Sequence, residues 1–453
     1  MSERGRLDIT GCGSEIITKE EIQIKEAYIV AIFSFDLGKE IDIKQTDFEG
    51  LFSAGGDTNL LKSYNVQSTR TFKTNFSNQF KRMNLPDTEI QIDNRYFFTK
   101  QLLTIHKTGI FILSLWITIK GSYGAGEIIE ARNKLEHKDS IKIKSPYSGE
   151  YIPFTRYVNI LAGKINRHAT LNENIYTILF IKQSSISKQI DQVLSNISSY
   201  EWENRQLYGL ITKNSIHRCR GVRLKEVEDI INSDIDFRKG VASWFKELNT
   251  TIIFSDFSHK YLNMRSEETD ELIIDRFFHS TAHDVIIAEL LVFQIALISR
   301  FTKNISNLLA DSTNTYPKVM ANARDEIITN MDNFSHVKIL REYITGWARY
   351  INMKSVSGID ELKNDLWNKI EMLEKSIDGR YNAIIAEKNL KIQNSIFVIQ
   401  AFVIFSMFYT ILTSVMTNLK ENMIQFIIAI ILTIGVTIIT MYLINKISSD
   451  TIK

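Results

Sequence analysis

The chain has 453 residues, enough for two or three domains and a substantial core. Lys+Arg number 54 and Asp+Glu 52, so the whole molecule is no polyelectrolyte and any attraction to an anionic partner must come from local clusters. The only cysteines, Cys12 and Cys219, exclude a disulfide framework and suit a reducing compartment.

The beginning, Met1 to Arg6, is polar and lacks the apolar stretch of a signal peptide. Residues 1–265 read as a cytosolic α/β domain. Ile22, Ile24, Tyr28, Val30 and Ile32 alternate as a strand should. Tyr96 to Lys107 and Ile110 to Lys120 read as a hairpin turning at Thr108-Gly109, with Phe111, Leu113, Leu115, Ile117 and Ile119 on one face. Further strands are expected at Ile175 to Lys182, Leu207 to Lys213 and Thr251 to Phe257. Helices are expected around Gly126 to Lys138, Ser184 to Tyr200 and Val222 to Leu248, so the later part alternates strand and helix.

Residues 266–394 read as a cytosolic helical bundle and stalk. Val285 to Ile298 is apolar almost throughout but short and interrupted by Glu289, which favours a buried helix over a membrane span. The last soluble helix carries Leu362, Leu366, Ile370, Leu373, Ile377, Tyr381 and Ile384, one apolar stripe at helical spacing. Such a stripe serves either copies of the same helix or the neighbouring helices of its own chain.

Residues 395–453 read as a transmembrane hairpin with a short tail. Ile396 to Met416 and Met423 to Asn445 contain no charged residue, and each approaches the roughly 20 residues that cross a bilayer. Lys388 and Lys391 before the first span, and Lys446 and Lys453 after the second, place both termini in the cytoplasm of a bacterial inner membrane.

Within the first span Ser406, Thr410, Thr413 and Thr417 share a narrow sector that also takes in Ser395, with Asn418 at the outer end. The stripe reads either as a pore wall facing water and permeating ions or as ordinary helix packing, where Ser and Thr are common. Two spans cannot enclose a path alone, so a pore requires a homo-oligomer, expected as a tetramer or pentamer.

Two basic clusters are candidates for an anionic ligand, either a nucleotide or a single strand of nucleic acid. Arg70, Lys73, Lys81 and Arg82 are interleaved with Tyr64, Phe72, Phe76 and Phe80; cations with aromatic faces suit phosphates and bases, although Phe72, Phe76 and Phe80 at spacing four also suit one buried helix face. Arg218, Arg220 and Arg223, with His217 and Lys225, form the second cluster, which also suits anionic lipid headgroups. His279 and His283, one helical turn apart with Asp275 and Asp284 near, are weak candidates for a metal; packed histidines are the commoner case. Gly121, Gly124 and Gly126 form either an anion-binding turn or a plain one. No GxSxG and no spaced nucleophile-base set suggests an enzyme, and no cofactor is implied.

This layout resembles the CorA-like family of divalent-cation channels, best over Leu362 to Asn418 and including Ser376-Ile377-Asp378-Gly379-Arg380-Tyr381-Asn382. The resemblance implies a long helix that continues as the pore-lining span and a funnel of several copies. The family's Gly-Met-Asn signature is absent; the outer end reads Ser414-Val415-Met416-Thr417-Asn418. A ligand-gated ion channel is therefore expected ahead of a magnesium transporter. By analogy with membrane effectors of bacterial antiviral defence, the trigger is a nucleotide or oligonucleotide. A non-conducting membrane-anchored scaffold or sensor is the other alternative.

Overall fold

A computed structural model describes residues 20–52, 79–165, 167–233, 235–238, 241–254, 270–310, 317–331 and 344–417, with residues 431 and 435 in isolation. The chain divides into two units, residues 1–307 with 324–370, and residues 308–323 with 371–453.

The first unit is built on a mixed sheet. Its described strands are β1 (Gln23–Asp36), β2 (Phe80–Ile92), β3 (Arg95–His106), β4 (Ile110–Gly124), β5 (Ile141–Lys144), β6 (Tyr151–Pro153), β7 (Thr170–Ser184), β8 (Ile235–Arg238), β9 (Val241–Lys246) and β10 (Asn249–Phe254). They lie in the order β6-β5-β2-β3-β4-β1-β7-β10-β9-β8. β1 pairs antiparallel with β4 and with β7, and β10 joins β7 in parallel.

Residues alternate across the sheet, and both faces are buried, which explains why β1 and β4 are apolar at nearly every position. Ile29, Ala31, Phe33 and Phe35 of β1, with Leu113, Leu115 and Ile117 of β4, share one core. Helices α2 (Ala125–Glu136), α3 (Phe154–Gly163) and α5 (Glu201–Thr212) add Ile128, Tyr157 and Leu207 to it. Two shorter helices, α1 (Phe48–Phe52) and α4 (Ile190–Ser195), complete its rim.

The opposite face carries α8 (Asp270–Ala310). Phe293 stands 5.4 Å from Phe80 and 4.3 Å from His106, ring centre to ring centre. Arg300 donates to Asp36 Oδ2 at 2.6 Å and to the Thr108 carbonyl at 2.8 Å. From Ala282 to Ile298 this helix is buried almost all round. Helix α10 (Ile344–Ser355) meets it through Arg349 on Asp284 and Tyr350 on Gln294.

The hairpin between β3 and β4 turns where the sequence places it. Gly109 has φ +82, and a Cβ there would lie 2.0 Å from the Lys39 carbonyl oxygen. Gly109→Ala is therefore expected to cost about 2 kcal/mol or more, from the left-handed backbone and the displaced Lys39. Denaturant unfolding of the full chain checks this, and an unchanged midpoint would contradict it.

Three expected elements differ. Leu207 to Thr212 is the end of helix α5, buried at every position from Gln206 to Ile211, and Lys213 closes it in the left-handed conformation. The helix beginning near Val222 stops at Ser233 in α7 (Leu224–Ser233), and the chain turns into β8 and β9. Ser184 to Tyr200 is mostly turn around the short α4.

The second unit contains the start of α9 (Pro317–Met331) and α11 (Ile359–Thr417) from Glu371 onward. Helix α11 has 59 residues, a length of about 88 Å at 1.5 Å per residue. Ile359, Leu366, Ile370, Leu373 and Ile377 are buried along its first third, as the stripe requires. From Asp378 to Thr413 it is exposed on nearly every side.

Candidate functional site

Two described helices are long and apolar enough to cross a membrane. The apolar window of the first, Ala282–Ala310, is 83% buried, whereas that of the second, within Ile359–Thr413, is 0% buried. In the first the protein itself covers the apolar surface. In the second Ile396, Phe397, Ile399, Phe402, Val403 and Ile404 stand exposed, a surface suited to hydrocarbon and other apolar helices. This chain is accordingly read as membrane-associated through α11.

The hydroxyl stripe lies on that bare segment. Thr410 donates its hydroxyl to the Ser406 carbonyl at 2.8 Å, and Thr413 reaches the Tyr409 and Thr410 carbonyls at 2.8 and 3.0 Å. Ser395 likewise donates to Lys391 at 2.9 Å. The hydrogens are thus used inside the helix, and the oxygens keep lone pairs that accept from water or face a cation. Thr417 is the last described residue of the helix, and Asn418 and nearly all of Met423 to Asn445 lie outside the described residues.

Sequence reasoning missed what precedes the stripe. Counting back from Thr413 in alternating steps of three and four gives Thr410, Ser406, Val403, Ile399, Ile396, Ile392, Asn389 and Ile385. All are exposed, so one continuous seam passes from β-branched aliphatic side chains to hydroxyls. The signal was present in the register; the separation into soluble helix and span hid it.

The second candidate is a basic corner formed by α5, α6 (Ile216–Gly221) and α7. His217, Arg218, Arg220, Arg223 and Lys225 are all exposed there. Arg205 on α5 holds the corner in place. Its guanidinium donates to the carbonyls of Cys219 at 2.8 Å, Arg220 at 3.2 Å and Val222, while its Nε meets Glu201 at 2.9 Å. The Arg220 guanidinium lies 5.1 Å from the centre of the Trp202 ring. Glu201, Trp202, Arg205 and Arg220 line a shallow cleft of about 210 Å³. Cys219 beneath is buried, and burial pushes its thiol up to about 11, which keeps it protonated and a packing group.

No known protein family, curated protein or solved structure matches this chain. What it does must be argued from its own residues.

The other candidates are placed as follows. Lys81 and Arg82 lie on strand β2; Lys81 pairs with Glu49 at 2.9 Å, and Arg82 faces Glu289 at 3.5 Å with its side chain largely buried. Arg70, Lys73, Tyr64, Phe72 and Phe76 lie outside the described residues. His283 is on α8; the side chains of His279 and Asp275 are not described. Among the described residues no group of three or more His, Cys, Asp or Glu side chains is gathered as a metal site.

The glycine turn before α2 is filled from within. Glu127 accepts from the Gly124 amide at 2.9 Å and Glu21 from the Gly126 amide at 3.4 Å, so the helix start already faces two carboxylates of its own chain.

Proposed function

We propose that this chain is a homo-oligomeric membrane channel whose pore is lined by α11 and whose opening is controlled by the α/β domain. The observation that carries the reading is the seam on α11, exposed and unbroken from Ile385 to Thr413. Alternating steps of three and four are the register in which copies of one helix pack about a common axis. With that face turned inward, the Ile392, Ile396, Ile399 and Val403 rings form a dry constriction, and Ser406, Thr410 and Thr413 form a wetted section beyond it.

In this reading Met423 to Asn445 is the second arm of a hairpin and shields the outside of the ring from lipid, as in the CorA-like plan. Missing the Gly-Met-Asn signature, the pore would select by hydroxyl oxygens rather than as a magnesium transporter does. Helix α11 begins in the folded α/β unit at Ile359, so a ligand that favours one arrangement of that unit can bias the helices.

A second reading is favoured by the internal hydroxyl bonds of Thr410 and Thr413, which also suit a helix facing lipid. There α11 is a non-conducting anchor. Ion flux into liposomes holding the purified protein separates the two. Thr410→Leu/Thr413→Leu is expected to abolish flux while insertion is kept. Flux that persists at the wild-type rate would remove α11 from the pore.

A further inference from the structure

We propose that the corner formed by α5, α6 and α7 binds a nucleotide carrying two or more phosphates. This names the effector class for the gating reading above and rests on that reading for its consequence, though not for the binding itself.

The charge is local and unspent. Among the described residues no carboxylate pairs with Arg218, Arg220, Arg223 or Lys225. Two acids of these helices have other partners: Glu201 holds Arg205 at 2.9 Å, and Glu226 accepts from the Tyr208 hydroxyl at 2.8 Å. Exposed cations that share no acid repel one another, an arrangement that an incoming polyanion relieves.

The corner is also held ready. A short helix ends in unsatisfied carbonyls that would draw neighbouring cations onto themselves. Here Arg205, only 13% exposed at its side chain, already occupies the carbonyls of Cys219, Arg220 and Val222. Arg218, Arg220 and Arg223 are thereby left to face outward, with the backbone between them fixed.

A phosphate alone needs no more than this, but the corner offers a plane as well. The Arg220 guanidinium lies 5.1 Å from the centre of the Trp202 ring, within cation–π reach, on a side chain that is otherwise exposed. Arginine planes stack on unpaired bases, and Arg forks grip phosphate oxygens in pairs. The cleft of about 210 Å³, lined by Glu201, Trp202, Arg205 and Arg220, has room for one flat ring system. A lipid headgroup would use the charge and leave the plane idle; a long single strand would exceed the corner.

The test is calorimetric titration of the full-length protein in phosphatidylcholine nanodiscs, with ATP and inorganic triphosphate as probes. ATP is expected to bind more tightly than triphosphate and to weaken as salt rises. Arg218→Ala/Arg223→Ala should cost roughly tenfold or more for both probes. Arg220→Lys keeps the charge and loses the plane, so it should weaken ATP and leave triphosphate unchanged.

Equal ATP binding by the wild type and Arg218→Ala/Arg223→Ala would overturn the site. A triphosphate affinity equal to that of ATP, insensitive to Arg220→Lys, would overturn the nucleotide assignment. So would ATP binding that vanishes in nanodiscs containing anionic phosphatidylglycerol, the mark of a headgroup site. Because binding is read without flux, a protein that binds but never conducts counts against the channel and not against this corner.

Discussion

Glu289→Leu is expected to destabilise the α/β unit by about 3–5 kcal/mol, a large share of the 5–15 kcal/mol typical of a domain. Glu289 sits in the middle of α8 and is fully buried against the sheet. Ser114 Oγ donates to it at 2.7 Å, Thr104 Oγ1 at 3.3 Å, and Arg82 approaches to 3.5 Å. Leucine would fill the volume but leave the Arg82 charge desolvated without this partner and two hydroxyls without their acceptor. Glu289→Gln, which keeps an acceptor for the hydroxyls, should cost less.

Proton linkage gives this prediction a second readout. Burial holds the Glu289 carboxyl above its ordinary value, and Arg82, Ser114 and Thr104 only partly offset that. Between the ordinary value and the raised one, the folded protein therefore holds a proton that the unfolded chain has released. Stability from this group is fully present below the ordinary carboxylate range and falls as pH rises from there toward the folded value. Glu289→Gln should flatten that fall. Denaturant midpoints measured across pH, followed through the buried Trp116 and Trp244, check both statements; a Glu289→Leu midpoint equal to wild type would refute the first.

Much of the fold was readable because the residues that specify it are local and repetitive. The alternation of Ile22, Ile24, Tyr28, Val30 and Ile32, and the turn at Thr108-Gly109, need no distant partner to be recognised. Leu207 to Lys213 misled because a seven-residue run this rich in apolar positions fits either period, and the first turns of the helix, from Glu201 to Gln206, lie before it. Val222 to Leu248 misled because no proline or glycine marks the change near Ser233, while β9 is set by pairing with β10 and β8 by pairing with β9. The covering of the sheet by α8 was invisible, since Glu289 meets Thr104 and Ser114 across 185 and 175 residues of chain. Of the candidate sites, the Arg218–Arg223 cluster was legible as charge, but the role of Arg205 in bracing it was not, because carbonyl groups leave no mark in a sequence.

Ile399→Ser is expected to raise resting ion flux about tenfold or more. In the proposed ring Ile399 lies midway along the aliphatic part of the seam, between Ile396 and Val403, and every subunit contributes one copy. A constriction walled by branched aliphatic groups expels water, and an ion cannot leave its hydration shell there without compensation. Serine shortens the side chain and supplies a hydroxyl, so a single substitution changes four or five side chains of the ring at once. Removing a barrier of only about 1.4 kcal/mol gives the tenfold increase. The hydroxyl section beyond supplies the control: adding Thr410→Leu to Ile399→Ser places a new dry ring about three turns further along and should return flux toward the resting level. A lipid-facing anchor has no constriction to open or to restore. Unchanged flux for both variants in liposomes, with insertion confirmed, would therefore leave α11 as a tether, and the rise and its reversal together would place Ile399 and Thr410 on one water-facing wall.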